Sequence, residues 1–285
     1  MSPAIFARLS TLLTKPSTTL EDVVATVELD PSLTSRVVRV ANSPLYHREV
    51  PVIAINDAIA YIGTHETSQI VGGMVASRLF AQGLPHYKID PSALWNCCVG
   101  SAVAARRLAE RVGLPEGECY TIALLRGIGW LVLERFAEKN ALPVNPAAFD
   151  DPVSVAKWER QVFGMSAPEA SLRVLQLWNF SPAATAALRR LGKRPYTDPL
   201  TSLLAVANGV VERLGIGLEV EQGRWTITPP LLKVIGLDSE RLDEVVIETR
   251  SEMEKLRKIV CHANIPPPEV PVDAELANNS GNPTA

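Results

Sequence analysis

The chain has 285 residues, 47% of them hydrophobic and 21% charged, with a formal net charge of −3, enough to bury one large core or two small ones. That near-neutral balance argues against a dedicated nucleic-acid binder, which needs a basic surface to neutralise phosphates. No apolar stretch approaches the roughly 18 uninterrupted residues of a membrane helix, and "MSPAIFARLS" lacks the features of a signal peptide, so the expected address is cytoplasmic with no membrane partner.

The first helix signal is Thr18 followed by Glu21, the spacing of a capping box, with Val23, Val24 and Val27 as the apolar face behind it. Asp30-Pro31 opens the next helix. The aspartate oxygen accepts an orphan backbone N–H, and proline at the first helical position forfeits no intrahelical bond. The same logic repeats at Asp90-Pro91, Asp151-Pro152, Ser181-Pro182 and Asp198-Pro199. Leu33, Val37 and Val40 continue at helical spacing and leave Arg36 and Arg39 on a solvated face; "ANSPLY" ends that helix, because the residue before Pro44 is pushed out of the helical region.

Periodicity and caps predict further helices over roughly 55–62, 66–81, 91–112, 117–138, 152–163, 167–178, 182–191, 199–214 and 239–261. Gly63, Gly83, Gly113, Gly164, Gly192 and Gly215 stand where C-terminal caps are expected. Gly72 and Gly73 fall inside a helical pattern at roughly 1 kcal/mol each relative to alanine, a cost that close helix packing would offset. "GRWTIT", residues 223–228, alternates Trp225 and Ile227 with polar neighbours and is the one strand signal. From Ile265 onward, "IPPPEVPVDAELANNSGNPTA" has no periodic apolar face and reads as a disordered tail over 265–285. The expected fold is all-α, with at most one short extended segment.

Enzymatic motifs are scarce: there is no P-loop, GxGxxG, HExxH or GxSxG. The histidines His47, His65, His86 and His262 are scattered without carboxylates at metal-ligand spacing, which makes surface or capping roles the expectation. Cys97, Cys98, Cys119 and Cys261 show no CxxC spacing and read as reduced thiols packed as small hydrophobes. "LRRLGKRP", residues 188–195, gathers Arg189, Arg190, Lys193 and Arg194 at a helix C-terminus, where the macrodipole favours positive charge; a phosphate or an acidic partner is the sharper alternative. In "ALLRGIGWLVLERF", residues 123–136, Arg126, Gly127 and Gly129 interrupt an otherwise apolar helix pattern.

The stretches "VELDPSLTSRVVRVANSPLY", "INDAIAYIG", "LWNCCVGSAVAARRLA" and "ERQVFGMSAPEASLRVLQLWNFSP" together resemble the HDOD family, the HD-related output domains of bacterial signalling proteins. "VELDPSLTSRVVRVANSPLY" is similar to its N-terminal signature, carried by Asp30, Pro31, Asn42 and Ser43. "INDAIAYIG", "LWNCCVGSAVAARRLA" and "ERQVFGMSAPEASLRVLQLWNFSP" follow in the family's order, over about residues 1 to 215. "ALLRGIGWLVL" falls where the family often has "GLLHDIGKLVL", so the resemblance places Arg126 and Gly127 at the His-Asp pair of the parent metal-dependent phosphohydrolases. It likewise sets Cys97 at the first histidine, Ala167 at the histidine of "GxxH", Arg189 or Arg190 at the next histidine, and Asn208 at the late aspartate.

This implies an HDOD domain over 1–264, with a helical N-terminal bundle (1–90) packed on an HD-like helical region (91–264), lacking the metal ligands and holding no cofactor. A permanently charged arginine in place of a metal ligand repels a dication. The implied role is non-enzymatic signal transduction through partner signalling proteins. The alternative is a sensor in which Arg126, Arg189 and Arg190 converge on the former metal pocket and bind a nucleotide or other anionic ligand; against it stands Arg126 paired with a nearby carboxylate or lying at the surface. Residual metal-dependent hydrolysis is the third reading.

Overall fold

Side-chain caps fix several of the helix starts. In the computed structural model, which describes residues 19–46, 50–142, 152–178 and 180–262, α1 (Leu20–Glu28) begins at a capping box made by Thr19 and Asp22, one residue beyond the expected Thr18–Glu21 pair. The Asp30 carboxylate accepts from the amides of Ser32 and Leu33 to open α2 (Pro31–Ala41), whose Leu33, Val37, Val40 and Ala41 are buried. Asn42 ends α2 and clamps the following segment, donating to the Val52 carbonyl at 2.8 Å and accepting from its amide at 2.7 Å. Ser43 is buried, and its hydroxyl has no hydrogen-bond partner among the described residues.

Then come α3 (Ile55–Ile62) and α4 (Thr64–Leu79), joined at Gly63. The glycine pair in α4 serves close packing. A Cβ on Gly72 would lie 2.6 Å from the Tyr120 hydroxyl, and the Trp95 indole donates to the Gly73 carbonyl at 3.0 Å. Trp95 belongs to α5 (Pro91–Val112), capped by Asp90 at its start and closed by Gly113 in the left-handed region. Most of α5 is buried, which makes it the central helix of the fold.

The predicted helix over 117–138 is two helices, α6 (Glu116–Leu124) and α7 (Ile128–Lys139), separated by a 3₁₀ turn at Leu125–Gly127. They are followed by α8 (Pro152–Phe163), α9 (Ala167–Leu177), α10 (Pro182–Leu191) and α11 (Pro199–Arg213), with Ser181 and Asp198 capping α10 and α11 as expected. The side chain of Asp151 lies outside the described residues, as do His47, the side chains of His65 and His262, and the 265–285 segment.

The all-α expectation holds, and the extended segment does not form. Residues 222–225 are turns, after a 3₁₀ turn at Glu219–Glu221, and 226–228 have no regular structure. The alternation of Trp225 and Ile227 reflects packing on α11 rather than a ladder: a Cβ on Gly209 would lie 2.5 Å from the Trp225 carbonyl oxygen and from Ile227 Cγ1. A helix absent from the expected set, α12 (Pro229–Ile235), starts on two prolines and ends at Gly236 with φ +69°.

The last helix, α13 (Ser239–His262), runs against α4 and α5. Arg106 and Arg107 of α5 both meet Glu252, and Arg111 donates to Glu248 at 2.6 Å. One continuous core runs from Val23 of α1 to Val260 of α13, so the N-terminal helices and the later region share an interior.

Candidate functional site

The 3₁₀ turn between α6 and α7 is the structural meaning of the odd stretch at 123–136. Interrupting a helix strands backbone groups that would otherwise pair within it. Ser171 of α9 satisfies two of them: its hydroxyl accepts from the Gly129 amide at 2.9 Å and donates to the Arg126 carbonyl at 3.2 Å. Both glycines are there for close approach. A Cβ on Gly129 would sit 1.9 Å from the Ala167 carbonyl oxygen, and one on Gly127 would sit 2.7 Å from Cys98 Sγ. Gly127 has φ −83°, which any residue adopts, so space and not backbone freedom selects glycine.

The turn delivers Arg126 into the interior, its side chain only 6% exposed. One guanidinium nitrogen, Nη2, donates to Glu221 in the 3₁₀ turn that follows α11; the other, Nη1, donates to Cys97 Sγ of α5 at 2.9 Å and to Ser101 Oγ at 3.4 Å. The Trp225 ring lies 5.5 Å from the guanidinium carbon, within range of a cation–π contact. Burial pulls the guanidinium pKa down, but the Glu221 carboxylate outweighs it and holds the value above the ordinary one. Arg126 is therefore a permanent buried cation with its own counter-ion. Cys97 stays a thiol, since burial pushes its pKa up to about 11 against the opposing pull of Arg126.

Of the remaining expected site residues, Ala167 is buried in the wall of the recess beside Arg126, a space of about 40 Å³. Arg189 and Arg190 do not converge on Arg126. Both point away from the core at the end of α10; Arg190 pairs with Asp198 at 3.3 Å, and Arg189 lines a larger adjoining cleft. Asn208 is buried in α11, and its Nδ2 has no hydrogen-bond partner among the described residues.

The residues present do not fit the metal site of the parent superfamily. Among the described residues no group of three or more His, Cys, Asp or Glu side chains is placed to hold an ion. The one carboxylate at the pocket, Glu221, is taken by Arg126, and a neutral thiol is a poor ligand for a hard cation.

The HDOD domain model matches residues 1–192. The chain belongs to the HDOD family. No curated protein matches this HDOD chain. Among solved structures it is similar to an HDOD domain protein of unknown function from Geobacter sulfurreducens, at 21% identity and TM-score 0.62, over 93% of this chain and 92% of that one. It is also similar to a candidate phosphohydrolase from Shewanella amazonensis, at 19% identity and TM-score 0.58, over 92% of this chain and 94% of that one. At these identities the likenesses establish the fold.

Two further buried sites carry no sequence signature. His86, expected at the surface or at a cap, is buried: its Nδ1 lies 2.6 Å from Glu134, and its Nε2 lies 2.9 Å from the Leu142 carbonyl. Glu159 of α8 accepts from Tyr87 at 3.1 Å and from the Ala167 amide at 2.8 Å; burial raises its pKa to about 7 against those bonds. Both involve partners distant in sequence, as does Glu221, which explains why local spacing does not reveal them. The cysteines follow expectation at Cys97, Cys98 and Cys119, which are buried, whereas Cys261 is exposed. Among the described residues no helix is long and apolar enough to cross a membrane.

Proposed function

We propose that this HDOD chain is a non-enzymatic signal-transduction protein that acts by binding partner signalling proteins, as in two-component systems. The observation that carries the reading is the buried Arg126, locked to Glu221 and Cys97 at the position that the family resemblance assigns to the metal-binding His-Asp pair. A metal-activated water needs open coordination positions and anionic or imidazole ligands; a self-compensated arginine supplies neither. The chain instead offers a helical scaffold in which Arg126 is engaged by its own neighbours.

The alternative reading, an anionic ligand held on Arg126 itself, has less support. The recess beside Arg126 is about 40 Å³, far below the roughly 300 Å³ of small ligand pockets, and its cation is already paired. Residual phosphohydrolysis has the least support, because among the described residues no set of His, Cys, Asp or Glu is placed to hold an ion.

The test pairs two assays on the purified chain: hydrolysis of a generic phosphodiester with manganese added, and crosslinked capture of partners by wild type and by Arg126→Glu. The reading expects no turnover above buffer and specific, identifiable signalling partners for the wild type. Manganese-dependent turnover above buffer by the wild type would overturn it.

A further inference from the structure

A cleft of about 900 Å³ lies between α8, α9, α10 and the turn at 219–224, opening beside the Arg126 recess and sharing Trp130, Pro168, Leu188, Gly192, Glu221 and Arg224 with it. We propose that this cleft is a binding site for a small phosphorylated anion, an inference that goes beyond the partner-binding reading and holds whether or not the chain docks on a protein.

The charge arrangement carries the argument. The protein as a whole is net negative, yet the cleft gathers Lys157, Arg160, Arg189, Lys193 and Arg224 against three carboxylates, Glu159, Glu169 and Glu221. Each of those carboxylates is already engaged. Glu221 is neutralised by Arg126; Glu169 closes the capping box on Ser166 and meets Arg160 at 3.3 Å; Glu159 accepts from Tyr87 and from the Ala167 amide. Lys157, Arg189 and Lys193 are left without an ion-pair partner among the described residues. Helix-dipole compensation does not account for them, because Arg190, on the same last turn as Arg189, already supplies a cation there and is tied to Asp198.

The inner end of the cleft adds a second observation. Trp225 is only 4% exposed, and its indole Nε1, itself closed to solvent, has no hydrogen-bond partner among the described residues. It lines the recess into which the cleft leads, under the Arg224 guanidinium, which lies 5.0 Å from the ring centroid. Unpaired cations along the cleft and Arg224 held over Trp225 at its inner end ask for the same thing: a ligand with several anionic acceptor oxygens. The volume falls within the range of organic-ligand sites, and arginine forks match phosphate oxygens in geometry as well as charge.

The test is calorimetric titration of the full chain with inorganic pyrophosphate and with ADP, at low ionic strength and without metal. The proposal expects saturable one-site binding of at least one probe, weakened roughly tenfold or more in Arg189→Glu/Lys193→Glu and unchanged in Arg241→Glu, an exposed cation on α13 outside the cleft. Arg189 and Lys193 are exposed, so their replacement leaves the core intact, and an unchanged melting temperature confirms it. Absence of saturable binding by both probes overturns the site. Equal weakening by Arg241→Glu overturns it too, since it would reduce the effect to unspecific charge attraction.

Discussion

Arg126 and Glu221, 95 residues apart in the chain, form an ion pair in which both side chains are buried, 6% and 7% exposed. The pair joins the turn between α6 and α7 to the turn after α11, so it fixes those two turns against each other. A buried pair contributes little net stability when compared with apolar residues of similar volume, but removing one partner strands a charge.

That asymmetry gives the first prediction. Arg126→Met should destabilise by about 3–5 kcal/mol, and Glu221→Leu by a similar amount, whereas the double variant should recover most of the loss. Urea unfolding of the four proteins measures the coupling. Additive losses in the double variant would show that the two residues do not act as a pair.

The broken helix gives the second. Gly129→Ala would place its Cβ inside the Ala167 carbonyl, a backbone atom that cannot swing away, so α9 must shift. The loss should exceed the roughly 1–3 kcal/mol typical of overpacking. Ser171→Ala, which strands the Gly129 amide, should cost about 1–3 kcal/mol. If Gly129→Ala instead gained the few tenths expected of an ordinary exposed helix glycine, the close approach of α9 would be wrong.

Glu159 makes stability depend on pH in an unusual direction for a carboxyl. Its folded pKa, about 7, lies above the unfolded value of 4.5, so its contribution is fully present below 4.5 and is lost as pH rises toward 7. Glu159→Gln cannot charge. Its stability relative to wild type should therefore improve by about 2 kcal/mol between about pH 5 and about pH 8. A pH-independent difference would place the carboxyl in a solvated setting.

His86 titrates in the same sense through a different interaction. Burial lowers its pKa, but the hydrogen bonds to Glu134 and to the Leu142 carbonyl outweigh that and raise it. With the folded value above the unfolded one, the stabilisation is complete below about pH 6.5 and disappears as pH climbs through the folded value. His86→Gln should flatten the fall in melting temperature from about pH 6 to about pH 9, measured in the Glu159→Gln background so that the two titrations do not overlap. An unaltered slope would remove the protonated His86–Glu134 pair from the account.

How legible these features are in the sequence follows from their range. Asp30, Asp90, Ser181 and Asp198 each open a helix through contacts within three residues, so a local pattern suffices. The near miss at Thr19 and Asp22 is of the same kind, since Thr18–Glu21 offers an equivalent box one residue earlier. "GRWTIT" reads as a strand because side-chain alternation is the same whether a segment pairs with a neighbour or lies across a helix, as Ile227 does over Gly209. Arg126 and the two glycines stand out as misfits in an apolar helix. Their partners Glu221, Ala167 and Cys98 belong to other elements, and only the fold brings them together.

Arg126 and Glu221 neutralise each other, and among the described residues no ligand set is left beside them to hold an ion. Elemental analysis of the protein, purified without chelator and dialysed after exposure to manganese, iron and zinc, tests this most directly. The account predicts bound metal far below one ion per chain for wild type; an ion retained in stoichiometric amount and lost in Cys97→Ala or Glu221→Gln would contradict it.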